Sequence, residues 1–316
     1  MFNLLEFFYR IFGIYRYPKL DSELSSPDYP FESRHLKVNG SEMHYIEKGE
    51  GRVFLFLHGN ATWSYLWRNV IPRVAEHGRC IAFDLVGFGR SDKPAISYKF
   101  LEHYKYVEGF IDELGLKDLV LIGHDWGAVL GLYYALNHRE NVAGVILMES
   151  FPFTYSYDYY PKRYRIYFKL WRTPFIGHLL IMVRNEIIKR GIPLSTYKGI
   201  SKEVHRHYME PFPTIKSRYP IYALYQELPI EGRETDAFRE IKRLEQAYAE
   251  FTFPMLFLTC TPGEVRQWKI EWFQRTVKDL TVKNVGESYH YPQEDNPKGV
   301  ADAIVEWARN KGLFFK

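Results

Sequence analysis

The sequence predicts an α/β protein: a mostly parallel sheet flanked by helices, with a helical cap inserted over one sheet edge. Three observations carry this. Short runs rich in Val, Ile, Leu and Phe alternate with longer helical stretches, the pattern of strands buried on both faces under covering helices. The alternation stops after residue 150 and resumes near residue 236. One apolar strand ends in a Gly-x-Asp-x-Gly turn that opens a helix.

The elements follow in order. The first 18 residues, MFNLLEFFYRIFGIYRYP, are apolar and aromatic but interrupted by Glu6 and Arg10. No small-residue cleavage site follows, so the segment reads as an amphipathic helix ending before Pro18 rather than as a signal peptide. Its expected role is packing on its own domain or a sister subunit in a homodimer, with docking to a membrane surface the weaker alternative. Residues 21–33, rich in Ser, Pro and Asp, read as a linker. Strands are predicted at 43–47, 53–57, 79–83, 118–122, 143–148, 254–260 and 280–285, and helices at 65–76, 100–114, 128–138, 236–250, 265–277 and 297–311. Residues 34–150 and 229–316 thus form the sheet domain, residues 151–228 the cap, and residues 1–33 an extension.

Composition narrows the class. With 46% hydrophobic and 25% charged residues, a sizeable core is expected and general disorder is excluded. The 42 basic and 38 acidic residues are spread along the chain, without the basic block of a nucleic-acid binder. No apolar run approaches the ~20 residues that span a bilayer. The two cysteines, Cys80 and Cys260, lie in strand-like runs, as expected of buried free thiols in a cytoplasmic protein.

The chemistry concentrates at Gly123-His124-Asp125-Trp126-Gly127, which follows the strand Leu119–Ile122. This is a nucleophile elbow with aspartate in the place of serine. Glycines flank it because the tight turn leaves no room for side chains. A carboxylate that attacks an acyl carbon forms a reactive anhydride. One that attacks a saturated carbon forms an alkyl ester, which water then cleaves with help from the oxyanion hole. Asp125 therefore points to displacement at an sp3 carbon, as in halides or epoxides. The bland reading of Asp125 is a helix cap.

Ester hydrolysis needs a base. His290, in the loop after the last strand, reaches the same sheet edge as the elbow. The base needs an acid. Glu149 ends the strand Val145–Met148 and is preferred, and Glu264 in the loop after strand 254–260 is the alternative. The loop His58-Gly59-Asn60 can complete the oxyanion hole with a backbone N–H, and the Asn60 amide and Trp126 indole N–H can hold a leaving halide.

These residues sit within segments that resemble the haloalkane dehalogenases: His58–Arg68, Asp84–Pro94, Gly123–Gly127, Pro211–Pro213, Leu228–Gly232 and Gln293–Pro297. The similarity runs from about residue 35 to the end. It implies Asp125 as nucleophile, His290 as base, Asn60 and Trp126 as the halide clamp, and Glu149 as the acid of one branch of that family. It also implies no cofactor, water as co-substrate, a small apolar halogenated substrate, and a cap that shapes the pocket. The chain departs from the family at Ala61, commonly Pro, at Ser288-Tyr289 before the base, and at Tyr222–Gln226 in the cap. Three other functions share parts of this pattern. An epoxide hydrolase would need cap tyrosines as acids, and Tyr155, Tyr157, Tyr160, Tyr219 and Tyr225 are available. A dehalogenase-like luciferase would oxidise an imidazopyrazinone with the same triad. A ligand-binding receptor would keep the fold without turnover.

Overall fold

The computed structural model describes residues 26–150, 152–160 and 162–314. The expectation of an N-terminal amphipathic helix falls outside the described residues. Eight strands form one sheet: β1 (Arg34–Val38), β2 (Ser41–Lys48), β3 (Val53–Leu57), β4 (Arg79–Phe83), β5 (Leu119–His124), β6 (Val142–Met148), β7 (Met255–Pro262) and β8 (Leu280–Ser288). Their spatial order is β1-β2-β4-β3-β5-β6-β7-β8. The β1–β2 and β2–β4 pairs are antiparallel and all the others are parallel. Every residue of β3 and β5 is buried, as an interior parallel strand between two helical layers requires.

The helices that matter for the site are α1 (Phe100–Glu113), α2 (Trp126–Asn137), α3 (Lys162–Arg172), α4 (Lys202–Met209), α5 (Tyr219–Glu227), α6 (Asp236–Ala247), α7 (Gln267–Thr276) and α8 (Pro297–Asn310). Between β6 and β7 the described chain forms no strand, only helices and turns with one bridge, Tyr155 to Ile230. The chain order reverses on either side of β3. The carboxyl ends of β3, β5 and β6 therefore face one crevice, where open α/β sheets bind ligands.

Two local differences from the sequence reading have simple causes. Strand β1 was not anticipated, because RHLKV is polar and mostly exposed. Its backbone pairing to β2, rather than an apolar run, makes it a strand, as is common at an edge. The expected helix over 65–76 is two short turns, Ser64–Trp67 and Ile71–Val74, the second with Pro at its start. Cys80 and Cys260 are both free and buried.

Buried polar groups brace the loops around the crevice. Asp84, fully buried, accepts from His44 Nδ1 at 2.9 Å, the Ser64 N–H at 2.7 Å and the Arg90 N–H at 2.8 Å. A Cβ on Gly89 would lie 2.1 Å from Asp84 Oδ2, which explains that glycine in Asp84-Leu-Val-Gly-Phe-Gly. Arg68 grips Glu294 with two bonds of 2.6 and 2.8 Å, and the Tyr208 hydroxyl of α4 donates to the same carboxylate. Removing one partner of such a buried pair costs about 3–5 kcal/mol. The pair therefore ties the turn Pro292–Asp295, just after His290, to the Ser64–Trp67 turn and to α4.

Candidate active site

The elbow is built by steric necessity. Asp125 sits between β5 and α2 at φ 51°, ψ −124°, a strained conformation for an L-residue that costs roughly 1–3 kcal/mol. A Cβ on Gly123 would fall 2.3 Å from Ala128 Cα, and one on Gly127 would fall 2.2 Å from the Leu57 carbonyl oxygen. A Cβ on Gly59 would lie 2.4 Å from Asp125 Cβ. All three glycines are thus required for the aspartate to stand where it does. The Ser150 hydroxyl donates to the Asp125 carbonyl at 2.8 Å and pins the turn.

Two backbone donors hold the carboxylate. Asp125 Oδ1 accepts the Asn60 N–H at 2.8 Å, and the Trp126 N–H bonds the same carboxylate. These are the two donors expected of an oxyanion hole. His58 fixes their loop: it contacts the Gly59 carbonyl through Nδ1 at 2.8 Å and accepts the Leu85 N–H on Nε2 at 2.9 Å. Ala61 stands at φ 61°, a conformation closed to proline, which accounts for one departure from the family pattern.

His290 is carried by the loop after β8. Its N–H donates to the Ser195 carbonyl at 2.9 Å and its carbonyl meets His124 Nε2 at 2.8 Å. Asp295 extends the brace by accepting from the Tyr197 and Lys198 N–H groups and the Ser288 hydroxyl. His290 Nε2 then lies 3.7 Å from Asp125 Oδ2.

Two carboxyls approach from the far side of His290. Glu264 Oε2 is 3.4 Å from His290 Nδ1 and its side chain is 38% exposed. Glu149, 1% exposed and at φ 40°, accepts the Glu264 N–H at 2.8 Å and the Cys260 thiol at 3.1 Å. The same thiol contacts the Tyr289 carbonyl at 3.1 Å, so Glu149 reaches the base's loop through Cys260. Burial without a cation pushes the Glu149 carboxyl up to about 8. Glu264 is also raised by burial, but its solvent contact makes it the easier of the two to ionise.

Asn60 and Trp126 flank the nucleophile. Asn60 Nδ2 donates to the Ile221 carbonyl of α5 at 3.2 Å, and its Oδ1 accepts the Ala61 N–H at 2.9 Å. The Trp126 ring is 4% exposed and lines a cavity with Asp125, Val129, Leu228, Pro229 and Ile241. The cavity measures about 10 Å³, room for about one water. Tyr155, Tyr225 and Tyr291, buried or half-buried, are electrostatic neighbours of Asp125. Of the other cap tyrosines, Tyr160 bonds Tyr155 through their hydroxyls at 3.0 Å. Tyr219 stands exposed, and Tyr157 meets Arg172.

Burial pushes Asp125 up to about 7 and His290 down to about 4. A carboxylate attacks only when ionised, and an imidazole accepts a proton only when neutral. His290 is therefore ready above pH 4, and Asp125 sets the acid limb. The single-turnover rate of carboxylate alkylation is expected to be about tenfold lower at pH 6 than at pH 8. A rate constant across that interval would contradict the assignment.

The structure brings Asp125, His290, Asn60, Trp126, Glu149 and Glu264 to one crevice. The bracing residues Arg68, Glu294 and Asp295, and Tyr291 with its ring 4.9 Å from that of His290, were missed as site elements. Arg68 ends the segment His58–Arg68 and Glu294 and Asp295 fall in Gln293–Pro297, so their traces were resemblances without an assigned role.

Residues 52–172 match the α/β hydrolase fold family. A haloalkane dehalogenase of Mesorhizobium japonicum is 37% identical over 276 residues, covering 86% of this chain and 89% of its own length. One of Bradyrhizobium diazoefficiens is 33% identical, with 87% of this chain and 94% of the relative covered. Among solved structures, a putative ancestral haloalkane dehalogenase superposes with a TM-score of 0.85 at 37% identity, covering 88% of this chain and 99% of that one. The haloalkane dehalogenase of Bradyrhizobium elkani gives 0.86 at 35% identity, with 89% and 99% covered.

Proposed function

This chain belongs to the haloalkane dehalogenases, hydrolases acting on carbon–halide bonds, and from that membership we propose that it works through Asp125, His290, Glu149, Asn60 and Trp126. The observation that carries the reading is the split environment of the Asp125 carboxylate. Oδ1 is held by the Asn60 N–H at 2.8 Å, while Oδ2 points toward His290 Nε2 at 3.7 Å.

The steps follow from that geometry. An alkyl halide enters the crevice beside Asp125. Asp125 Oδ2 forms a bond to the halide-bearing carbon as the carbon–halogen bond breaks, and halide leaves with the electron pair. The Asn60 amide and the Trp126 indole N–H, which meets no protein acceptor among the described residues, stabilise the departing anion. The product is an alkyl ester of Asp125. Water then attacks the Asp125 carbonyl carbon while His290 Nε2 takes its proton. The Asn60 and Trp126 backbone N–H groups hold the oxyanion. Collapse returns the proton to the leaving alkoxide, and alcohol, halide and one proton result. Halide release from 1-bromobutane or 1,2-dibromoethane tests the reading directly, and an inert enzyme across several bromides and iodides would refute it.

Glu149 is the proposed positioning residue for His290, placed at the end of β6 and linked to Tyr289 through Cys260. A second reading gives that role to Glu264, on its 3.4 Å approach to His290 Nδ1. The two glutamine variants separate them. At pH 9, where the Glu149 carboxyl is ionised, Glu149→Gln is expected to lower the hydrolysis rate about 10–100-fold, an effect that fades as pH falls through about 8, with Glu264→Gln changing it less than threefold. The reverse order would assign the role to Glu264. Epoxide opening is tested in the same assay series, because Tyr155, buried and bonded to Tyr160, and Tyr225, half-buried, are electrostatic neighbours of Asp125. Styrene oxide turned over faster than the bromides would favour it.

A further inference from the structure

Single apolar side chains in solvent are ordinary, and only their clustering is informative. Nine large hydrophobic side chains stand exposed among the described residues, and all but Trp268 belong to residues 151–228. The densest group lies on the successive turns Pro174–Gly177 and His178–Val183: Phe175 is 91% exposed, Ile176 41%, Leu179 50% and Val183 44%. Ile215 and Tyr219 join it, because Arg218 between them donates to the Met182 carbonyl at 2.7 Å. The Tyr222 hydroxyl ties α5 to the Pro174 carbonyl at 3.2 Å. The patch is therefore one braced surface rather than a set of loose tips. A groove of about 860 Å³, lined by Met182, Ile215, Tyr219, Ile96 and Tyr98, opens at its edge.

The charge of the same region is unlike that of the rest. Residues 151–228 hold 13 basic and 5 acidic residues, a net of +8, whereas the whole chain carries +4 and the remainder therefore −4. Lys169, Arg184 and Lys216 are exposed on the segments that carry the apolar patch; Lys216 lines the groove itself, Arg184 is paired with Glu186 at 2.9 Å, and Lys169 stands 5.3 Å from the Tyr157 ring.

We propose that this face of the cap docks on an anionic lipid bilayer. Phe175 and Leu179 enter the headgroup–acyl boundary, and Lys169, Arg184 and Lys216 lie at the level of the lipid phosphates. A second copy of the chain fits the face poorly, because a two-fold dimer would press two surfaces of net positive charge together. An apolar groove opening at a bilayer surface also places the protein where apolar organic molecules accumulate.

The test is co-sedimentation of the full chain with vesicles of phosphatidylcholine, alone or mixed with phosphatidylglycerol. Two double variants at exposed positions are compared with the wild type: Phe175→Ser with Leu179→Ser, and Lys169→Glu with Lys216→Glu. The wild type is expected to bind the anionic vesicles, less so at high salt. Each variant should bind at least about tenfold less tightly, with circular dichroism and turnover of a water-soluble bromide unchanged. Wild-type levels of binding in both variants would overturn the proposal. So would binding that survives in them but disappears on deletion of residues 1–20, which would move the anchor to that segment. A wild type that ignores vesicles and forms a dimer split by the serine pair would assign the face to a second copy instead.

Discussion

Replacing Asp125 with alanine is expected to lower halide release by at least about 10⁴-fold. The carboxylate places one oxygen 2.8 Å from the Asn60 N and the other 3.7 Å from His290 Nε2. Among the described residues that line the cavity no other side chain can form the ester, because they are Trp126, Val129, Leu228, Pro229 and Ile241. Folding should survive, since the substitution leaves Gly59, Gly123 and Gly127 in place and relieves a buried carboxyl whose ionisation is opposed by burial. Halide assay and thermal unfolding of the same preparation check both statements. Residual release within about tenfold of wild type would remove Asp125 from the chemistry.

Replacing His290 with glutamine is expected to separate the two halves of the reaction. Alkylation of Asp125 needs no base, so one equivalent of halide should still appear in a burst. Hydrolysis of the ester needs one, so turnover should then fall by about 10²–10⁴-fold. The trapped alkyl group is visible in intact-mass spectrometry as an addition to the peptide that contains Asp125. Loss of the burst along with the turnover would mean that His290 acts on the first step. Full turnover would mean that it has no catalytic role. The variant also tests the loop: His290 is held by its own backbone, through the Ser195 carbonyl and His124. Its side chain can therefore change without moving the Pro292–Asp295 turn.

Much of this was legible in the linear chain, for identifiable reasons. The strands β3, β5 and β6 are continuous apolar runs because they are buried on both faces. The glycines around Asp125 are dictated by contacts as short as 2.2 Å, so a local pattern carries a three-dimensional demand. His290 could be picked from 11 histidines because a loop after the last strand must open at the sheet edge that holds the elbow. Strand β1 was not legible, since an edge strand with one neighbour needs no apolar code. Neither were Arg68 and Glu294, which are 226 residues apart and gain meaning only as a buried pair.

The sequence by itself therefore determined the α/β class, the aspartate elbow and the chemistry open to it, because each depends on residues adjacent in the chain. Tertiary structure alone decided three further matters. It brought both Glu149 and Glu264 to the His290 loop, with Cys260 and a backbone N–H joining them. It turned the Asn60 amide toward the cap carbonyl of Ile221. It left a cavity of about 10 Å³ beside Asp125, lined by Trp126, Val129, Leu228, Pro229 and Ile241. The first depends on how the ends of β6, β7 and β8 converge and the other two on how residues 219–241 sit against β3 and β5, and both are fixed by the packing of side chains distant in sequence, which no local pattern encodes.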